Sequence, residues 1–362
     1  MRVLAWVTQP KGISPGQRFR IEQWEPLLRQ QGISIRYSPF LSREATASLY
    51  AGGRIATKAV ALTRALLARV REARRLTDCD VVYVFREGSL IGPALAERIL
   101  AKRGIPMVFD FDDAVWMRYK SPANSYFSYL RFPGKTVSLC QMSTEVMAGN
   151  RYLTEWALRH NPSVTLVPTT IDTDLHRPAP ERQRTTPTLG WTGSYSTAPY
   201  LAMLRDVLAQ LRKRHVFRFL AIGAPAFEVE GVEVETRPWR AETEIEDLWD
   251  IDIGVMPLPD APWERGKCGL KILQYMALGL PAVASPVGVN TEIVAHGRNG
   301  LLASTPGEWL EALAGLLSDE TLRRALGSAG RQTVEDGYSA TKHTPRVGEV
   351  LLRAAQGGGS RQ

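Results

Sequence analysis

The sequence predicts an α/β protein made of two doubly wound, Rossmann-like domains facing each other across a cleft. Three observations carry that prediction. The chain has 362 residues, the length of two ordinary domains rather than one. Short continuous apolar runs alternate with longer segments of helical period, the pattern of parallel strands buried on both faces. The alternation then starts afresh after a polar, proline-containing stretch from Arg177 to Pro187.

In order along the chain, Val3 to Val7 is the first apolar run, and Gly12, Pro15 and Gly16 mark the loop that follows it. A helix is expected from near Arg18 to before Gly32, and Ile33 to Tyr37 resumes the period of two. Val81 to Phe85 and, after the breaker Gly104, Pro106 to Phe111 are further strands. In the second half the strands are Leu189 to Ser194, Phe217 to Gly223, Ile253 to Leu258 and Pro281 to Ser285, with a helix from about Thr197 to Arg214. The expected domains are 1–168 and 188–340, joined by a linker over 169–187. A last helix over 341–356 has the first domain as one surface to pack on, and 357–362 reads as a disordered tail. Domains of this kind bind ligands beyond the carboxyl ends of their strands, so the loops there must carry the function.

Composition narrows the class. Hydrophobic residues at 44% and charged residues at 23% exclude wholesale disorder. Three cysteines (Cys79, Cys140, Cys268), with no C-x-x-C spacing, exclude a disulfide scaffold and a structural zinc site. The apolar run at the start is too short for a signal peptide. The run from Ile272 to Val289 is interrupted by Gln274, Gly279, Pro281, Pro286 and Gly288, so it does not read as a membrane span. The expected location is the cytoplasm, with the inner face of the membrane as a peripheral site. The net charge of +8 is uneven: residues 1–170 carry 24 Lys and Arg against 13 Asp and Glu, and residues 171–362 carry 21 against 24. A basic first half calls for an anionic partner, and nucleic acid, anionic lipid and phosphorylated substrates all have the right sign.

The densest motif runs from Trp263 to Val294. Gly266-Lys267-Cys268-Gly269 is a loop feeding a helix from Leu270 to Leu278, ended by Gly279. A helix start with free backbone N–H groups suits a diphosphate, with Lys267 and Lys271 adding charge. At helical spacing Lys271 lies near Gln274 and Tyr275, so a phosphate ligand and a hydroxyl ligand share one face. A buried amphipathic helix with two solvated lysines is the plainer reading, and both stay open at this point.

Gly269-Leu270-Lys271-Ile272-Leu273-Gln274-Tyr275-Met276-Ala277-Leu278-Gly279, then Gly288-Val289-Asn290-Thr291-Glu292, then Gly297-Arg298-Asn299-Gly300, resembles the donor-binding half of family 4 glycosyltransferases. Gly190 to Ser194 and Ile253 to Leu258 extend the resemblance over most of 188–305. It implies the GT-B fold, two Rossmann-like domains, and transfer from a nucleotide-sugar with retention of anomeric configuration, without a metal or other cofactor. Carried over by position, Gln274 stands where the family has the second glutamate of a pair, the one that binds the donor ribose. The first glutamate would fall on Gly266 and is absent, with Glu264 close enough to substitute only if the loop shifts. The family's Arg and Lys after the first donor-domain strand are also missing: that loop is Gly193-Ser194-Tyr195-Ser196-Thr197. Lys271, with Lys267 or Arg265, would then neutralise the diphosphate. Gly193, Ser194 and Gly269 would line the donor, and Asn290 and Glu292 would meet the donor sugar. For Glu292 the alternative is a helix-start carboxylate.

In the first domain, Asp110, Asp112 and Asp113 follow a strand and are the candidate catalytic carboxylates, orienting or deprotonating an acceptor hydroxyl. Relatives often have a histidine here, but this chain has none before His160. A magnesium site at Asp110 and Asp112 is disfavoured by the two-domain architecture, and helix capping by Asp112 or Asp113 is the plainer alternative. Arg18, Arg20 and Arg86 lie in loops after strands and are the acceptor-side candidates, with interdomain salt bridges as the competing reading. The helix from about Arg54 to Leu76 sets Leu62, Leu66 and Val70 on one face and Arg64, Arg71 and Arg75 nearly opposite. That face docks on an anionic membrane or is simply solvated. No recognition helix, stacking motif, Walker sequence or G-x-G-x-x-G is present, which leaves nucleic acid, nucleotide hydrolysis and nicotinamide chemistry unsupported. The expected partners are a nucleotide-sugar donor and a glycan or lipid-linked acceptor. A catalytically degenerate GT-B domain that binds the same ligands, or partners another enzyme, is the alternative from a different class.

Overall fold

Two sheets of six parallel strands organise the chain into two units, Met1–Thr169 with His343–Gln362, and Thr170–Lys342. The structure is a computed structural model that describes residues 1–50, 55–117, 132, 134–180 and 186–357. Arg54, the middle of the expected linker (181–185) and the tail from residue 358 lie outside the described residues.

The strands of the first unit are β1 (Arg2–Val7), β2 (Ser34–Pro39), β3 (Val81–Phe85), β4 (Met107–Phe111), β5 (Glu145–Ala148) and β6 (Val164–Leu166). Their order is β2-β1-β3-β4-β5-β6. The central runs β3 and β4 are buried throughout, whereas the edge strands β2 and β6 are half-exposed. Strand order reverses between β1 and β3, so the crevice of this sheet opens where the loops after those two strands diverge. Val84 pairs with Phe109 and Phe85 with Asp110, which fixes Asp110 inside the sheet beside the end of β3. The helix after β1 does not run evenly. A π-type turn over Arg18–Glu22 separates the short helix Pro15–Gln17 from Gln23–Gln30, and it turns three successive residues, Phe19, Arg20 and Ile21, inward.

In the second unit the strands are β7 (Thr188–Thr192), β8 (Arg218–Ile222), β9 (Glu233–Arg237), β10 (Ile253–Met256), β11 (Ala282–Ala284) and β12 (Leu301–Leu302). The order β12-β11-β10-β7-β8-β9 is that of a dinucleotide-binding sheet, with its reversal between β7 and β10. The helix expected over 197–214 begins as a tighter turn, Ala198–Leu204, before the α-helix Arg205–Arg212. On one side of the sheet Trp191, Leu201, Leu208, Phe219, Trp309, Leu313 and Leu316 form a continuous core. A fully buried side chain of this size contributes about 1.5–3 kcal/mol. The helix Pro306–Ser318 that supplies the last three starts at a capping box, in which Thr305 and Glu308 satisfy one another's backbone N–H groups. Both sheets are doubly wound α/β layers, as the apolar runs predict.

Candidate functional site

The crevice of the second sheet is shaped by missing side chains. A Cβ on Gly193, just past β7, would lie 2.3 Å from the Trp191 ring, and one on Gly223, just past β8, would lie 2.1 Å from the Gly193 carbonyl oxygen. Gly223 also takes φ +82°, so glycine is required there on two counts. The helix Leu270–Ala277 is pinned across this end of the sheet, because the Thr192 N–H donates to the Tyr275 hydroxyl at 2.9 Å. Tyr275 is wholly buried, and burial holds its hydroxyl above the usual tyrosine range, hence neutral. Lys271, one turn earlier, reaches 3.4 Å from the Thr197 hydroxyl and lies 5.1 Å over the Trp191 ring. The loop after β7 and the start of this helix therefore face one another, joined by a lysine that remains half-buried.

Gly269 caps that helix with φ +69° and no side-chain cap. A Cβ there would meet Ile293 Cδ1 at 2.4 Å, so the helix start is open backbone by steric necessity. Gly288, at φ +55°, lets the following turn pass against the Arg265 carbonyl. That turn delivers Asn290, which is almost fully buried. Its Nδ2 donates to the Ser285 carbonyl at 2.9 Å, while its Oδ1 accepts no hydrogen bond. This orphaned acceptor lies 3.9 Å from where a Gly269 Cβ would be. It is a buried acceptor with room for a hydroxyl donor beside the open helix start. Lys267 lies 6.0 Å over the Trp263 ring. Glu292 is exposed on the short helix Asn290–Ile293, and Ser194 is exposed after β7.

Gln274 has a partner that lies thirty residues away in the chain. Its Nε2 donates to Glu244 Oε1 at 3.0 Å, and Trp239 Nε1 donates to the same oxygen at 3.0 Å. Both Gln274 and Glu244 are almost fully buried. Sequence reasoning missed Glu244 and Trp239, and no spacing along the chain connects them with the helix that carries Gln274. Glu264 is also inward, taking a hydrogen bond from the Tyr200 hydroxyl.

The first unit divides the remaining candidates into two groups. Asp110 is completely buried: Arg20 Nε donates to its Oδ2 at 3.0 Å, Arg20 Nη2 to its Oδ1, and the Tyr83 hydroxyl to Oδ2. Burial pushes the Asp110 carboxyl upward, and the guanidinium and phenol oppose that shift. Arg20 is equally enclosed, with its Nη1 bonded to the Val167 and Pro168 carbonyls. This fork therefore ties β4 to the π-type turn and to the strand end near residue 167, and its polar atoms face one another rather than solvent.

Arg86, Asp112 and Asp113 form the second group, partly exposed. Arg86 Nε donates to Asp112 Oδ1 at 2.6 Å and Nη2 to Asp113 Oδ2 at 2.7 Å. Although burial opposes it, the Arg86 guanidinium holds the Asp112 carboxyl below its ordinary value. Arg86 adopts φ +58°, an uncommon conformation for a side-chain-bearing residue, with its N–H bonded to the Asp110 carbonyl at 2.7 Å. Gly16 from the loop after β1 lies against the pair, since a Cβ there would be 3.0 Å from Arg86 Nη2 and 3.1 Å from Asp112 Oδ2. The ion pair of Arg86 is thus made inside its own unit, where the sequence left an interdomain bridge open. Residues 112–117 are turns, so Asp112 and Asp113 cap no helix among the described residues. Arg18 is half-buried, 5.5 Å over the Phe19 ring. Among the described residues no three His, Cys, Asp or Glu side chains group as metal ligands.

The model of the family described as group 1 glycosyl transferases matches residues 186–319. Among characterised proteins, N-acetyl-alpha-D-glucosaminyl L-malate synthase of Bacillus anthracis is 34% identical over 82 residues, which span 22% of this chain and 21% of that protein. Among solved structures, sucrose-phosphate synthase from Thermosynechococcus elongatus aligns over 98% of this chain and 99% of its own, with a TM-score of 0.70 at 14% identity. HepE from Anabaena, in complex with UDP and glucose, aligns over 97% of this chain and 99% of its own, with a TM-score of 0.66 at 17% identity. The fold is that of the GT-B glycosyltransferases, and residues 186–319 carry a group 1 glycosyltransferase domain.

Proposed function

We propose that the chain is a retaining glycosyltransferase that moves a sugar from a nucleotide-sugar to a glycan or lipid-linked acceptor without a metal ion. The observation that carries this reading is the helix start at Gly269, placed at the strand-order reversal of a dinucleotide-type sheet and flanked by Lys271. Backbone N–H groups, the helix dipole and an ammonium group suit a diphosphate, each charge-assisted hydrogen bond being worth about 1.5–3 kcal/mol. In this reading Gly193, Ser194, Lys267, Gly269 and Lys271 hold the phosphates, Gln274 the ribose, and Asn290 Oδ1 and Glu292 hydroxyls of the donor sugar. HepE was solved with UDP and glucose, and with UDP-glucose, which supports a nucleotide-sugar as the donor class.

The acceptor falls to the first unit. Asp112 and Asp113 are the partly exposed carboxylates just past β4, with Arg86 orienting both. Asp110 and Arg20 serve by holding that strand end rigid. Retention without a protein nucleophile requires the leaving diphosphate to take the acceptor proton on the same face. Lys271 would stabilise the charge that develops there. Arg64, Arg71 and Arg75 are exposed on the helix Ile55–Arg75, together with Val60 and Leu67, and Leu62 faces the core. A basic face bearing exposed aliphatic side chains suits peripheral attachment to an anionic cytoplasmic leaflet, where acceptors for polysaccharide assembly are held. Among the described residues no helix is long and apolar enough to cross a membrane.

The test is turnover: release of nucleoside diphosphate from UDP-, GDP-, dTDP- and ADP-sugars with candidate acceptors, and the anomeric configuration of the product by NMR. An axial donor giving an axial product supports retention, and inversion refutes it. Gly266 and the uncharged loop Gly193–Thr197 favour a second reading, a degenerate domain that binds the donor without transferring it. Saturable binding with no turnover on any acceptor would select that reading.

A further inference from the structure

The Gln274 amide has two unlike ends, and its neighbours decide which one a ligand meets. Glu244 Oε1 lies 3.0 Å from the amide nitrogen and also accepts the Trp239 indole N–H at 3.0 Å. A carboxylate only accepts, so the amide must turn its NH2 toward Glu244 and its carbonyl oxygen away. The three side chains come from separate places: Trp239 follows β9, Glu244 opens the helix Glu244–Leu248, and Gln274 lies in Leu270–Ala277. They converge beside the glycine turns of the crevice, since a Cβ on Gly223 would stand 3.3 Å from the Trp239 Cβ. Lys271 shares the Gln274 face of its helix at i, i+3.

Resting on the donor-site reading above, we propose that Glu244 is the positioning residue for the nucleotide ribose. It locks the Gln274 amide so that its carbonyl oxygen accepts a ribose hydroxyl. The amide thereby presents the same hydrogen-bonding face as a carboxylate, while the negative charge is carried by Glu244 behind it. Placing a real carboxylate at position 274 would set two negative groups about 3 Å apart and spoil the arrangement. Restoring the residue that the resemblance leads one to expect should therefore weaken the site, unless Glu244 is neutralised at the same time.

The experiment is a double-variant cycle. Binding of UDP, GDP and ADP is measured by calorimetry, and the tightest binder is compared with its 2′-deoxy and 3′-deoxy counterparts. This is done in the wild type, Glu244→Leu, Gln274→Glu and the double variant Glu244→Leu/Gln274→Glu, because glutamine at 244 would keep an acceptor oxygen on Trp239 and Gln274. Expected are about tenfold weaker ribonucleotide binding in each single variant and recovery to within about threefold in the double variant, whose lone carboxylate accepts the ribose hydroxyl with no second carboxylate beside it. One deoxy analogue should bind the wild type and Glu244→Leu alike, because the contact it lacks is the one Glu244 organises. Thermal melts of all four proteins identify a variant that has failed to fold. Gln274→Glu binding as tightly as wild type, or equal losses for ribo- and deoxynucleotides, would overturn the proposal and leave the donor site standing. No binding by the wild type would overturn the donor-site reading and this proposal with it.

Discussion

Arg20 and Asp110, ninety residues apart, form a two-pronged ion pair with no exposure to solvent. The guanidinium has its remaining hydrogen bonds on the Val167 and Pro168 carbonyls, and the carboxylate takes the Tyr83 hydroxyl as well. Such a cluster stabilises a fold only when complete, because removing one charge leaves the other buried and uncompensated. Asp110→Ala should therefore lower unfolding stability by about 3–5 kcal/mol, read by urea denaturation. Asp113→Ala, at a partly exposed pair, should cost less than about 1 kcal/mol yet reduce transfer. Equal stability losses in the two variants would contradict this division of the strand end.

Acid should act on the pair Arg86 and Asp112. Arg86 depresses the Asp112 carboxyl, so the stabilisation it provides is fully present above the ordinary value of 3.8 and is lost as pH falls through the lower folded value. Urea unfolding of Asp112→Asn should therefore show a shallower decline in stability below about pH 4 than the wild type. Parallel acid limbs would show that the ion pair makes no contribution.

Gly269 is predicted to tolerate no side chain. Gly269→Ala faces both φ +69° and an overlap with Ile293 at 2.4 Å. A loss of about 2 kcal/mol or more in stability is expected, with weaker nucleotide binding. Gly12→Ala is the control: its φ is +87° but nothing lies within 4 Å, so only the backbone cost of about 1 kcal/mol applies.

Membrane attachment makes a charge-dependent prediction. Replacing Arg64, Arg71 and Arg75 together by Gln should reduce binding to phosphatidylserine-containing vesicles, each charge being worth about 1 kcal/mol near the surface. Donor binding should be unchanged. Equal sedimentation of both proteins with vesicles would remove this helix from the account.

The central strands were legible in the sequence because burial on both faces writes them as unbroken apolar runs, as in Val81–Phe85. The edge strand Glu233–Arg237 was not, since a half-exposed edge carries charges at alternate positions and looks like a loop. The helix Leu270–Ala277 with its glycine start was readable from local spacing, and so was the place of Lys271. Asp110, Asp112 and Asp113 looked interchangeable as neighbours. Only the pairing of Phe85 with Asp110, and a guanidinium delivered by a π-type turn, separates an enclosed carboxylate from accessible ones. Glu244 was invisible for the same reason: its contact with Gln274 depends on strand order, which no spacing encodes.

The most direct test of the account is calorimetric binding of UDP, GDP, dTDP and ADP to the wild type and to Lys271→Ala. The account predicts a clear preference for one nucleoside diphosphate and binding about tenfold or more weaker in the variant, with unchanged thermal stability. Absence of binding by all four, or affinities identical in the two proteins, would contradict a diphosphate site at the start of the helix Leu270–Ala277.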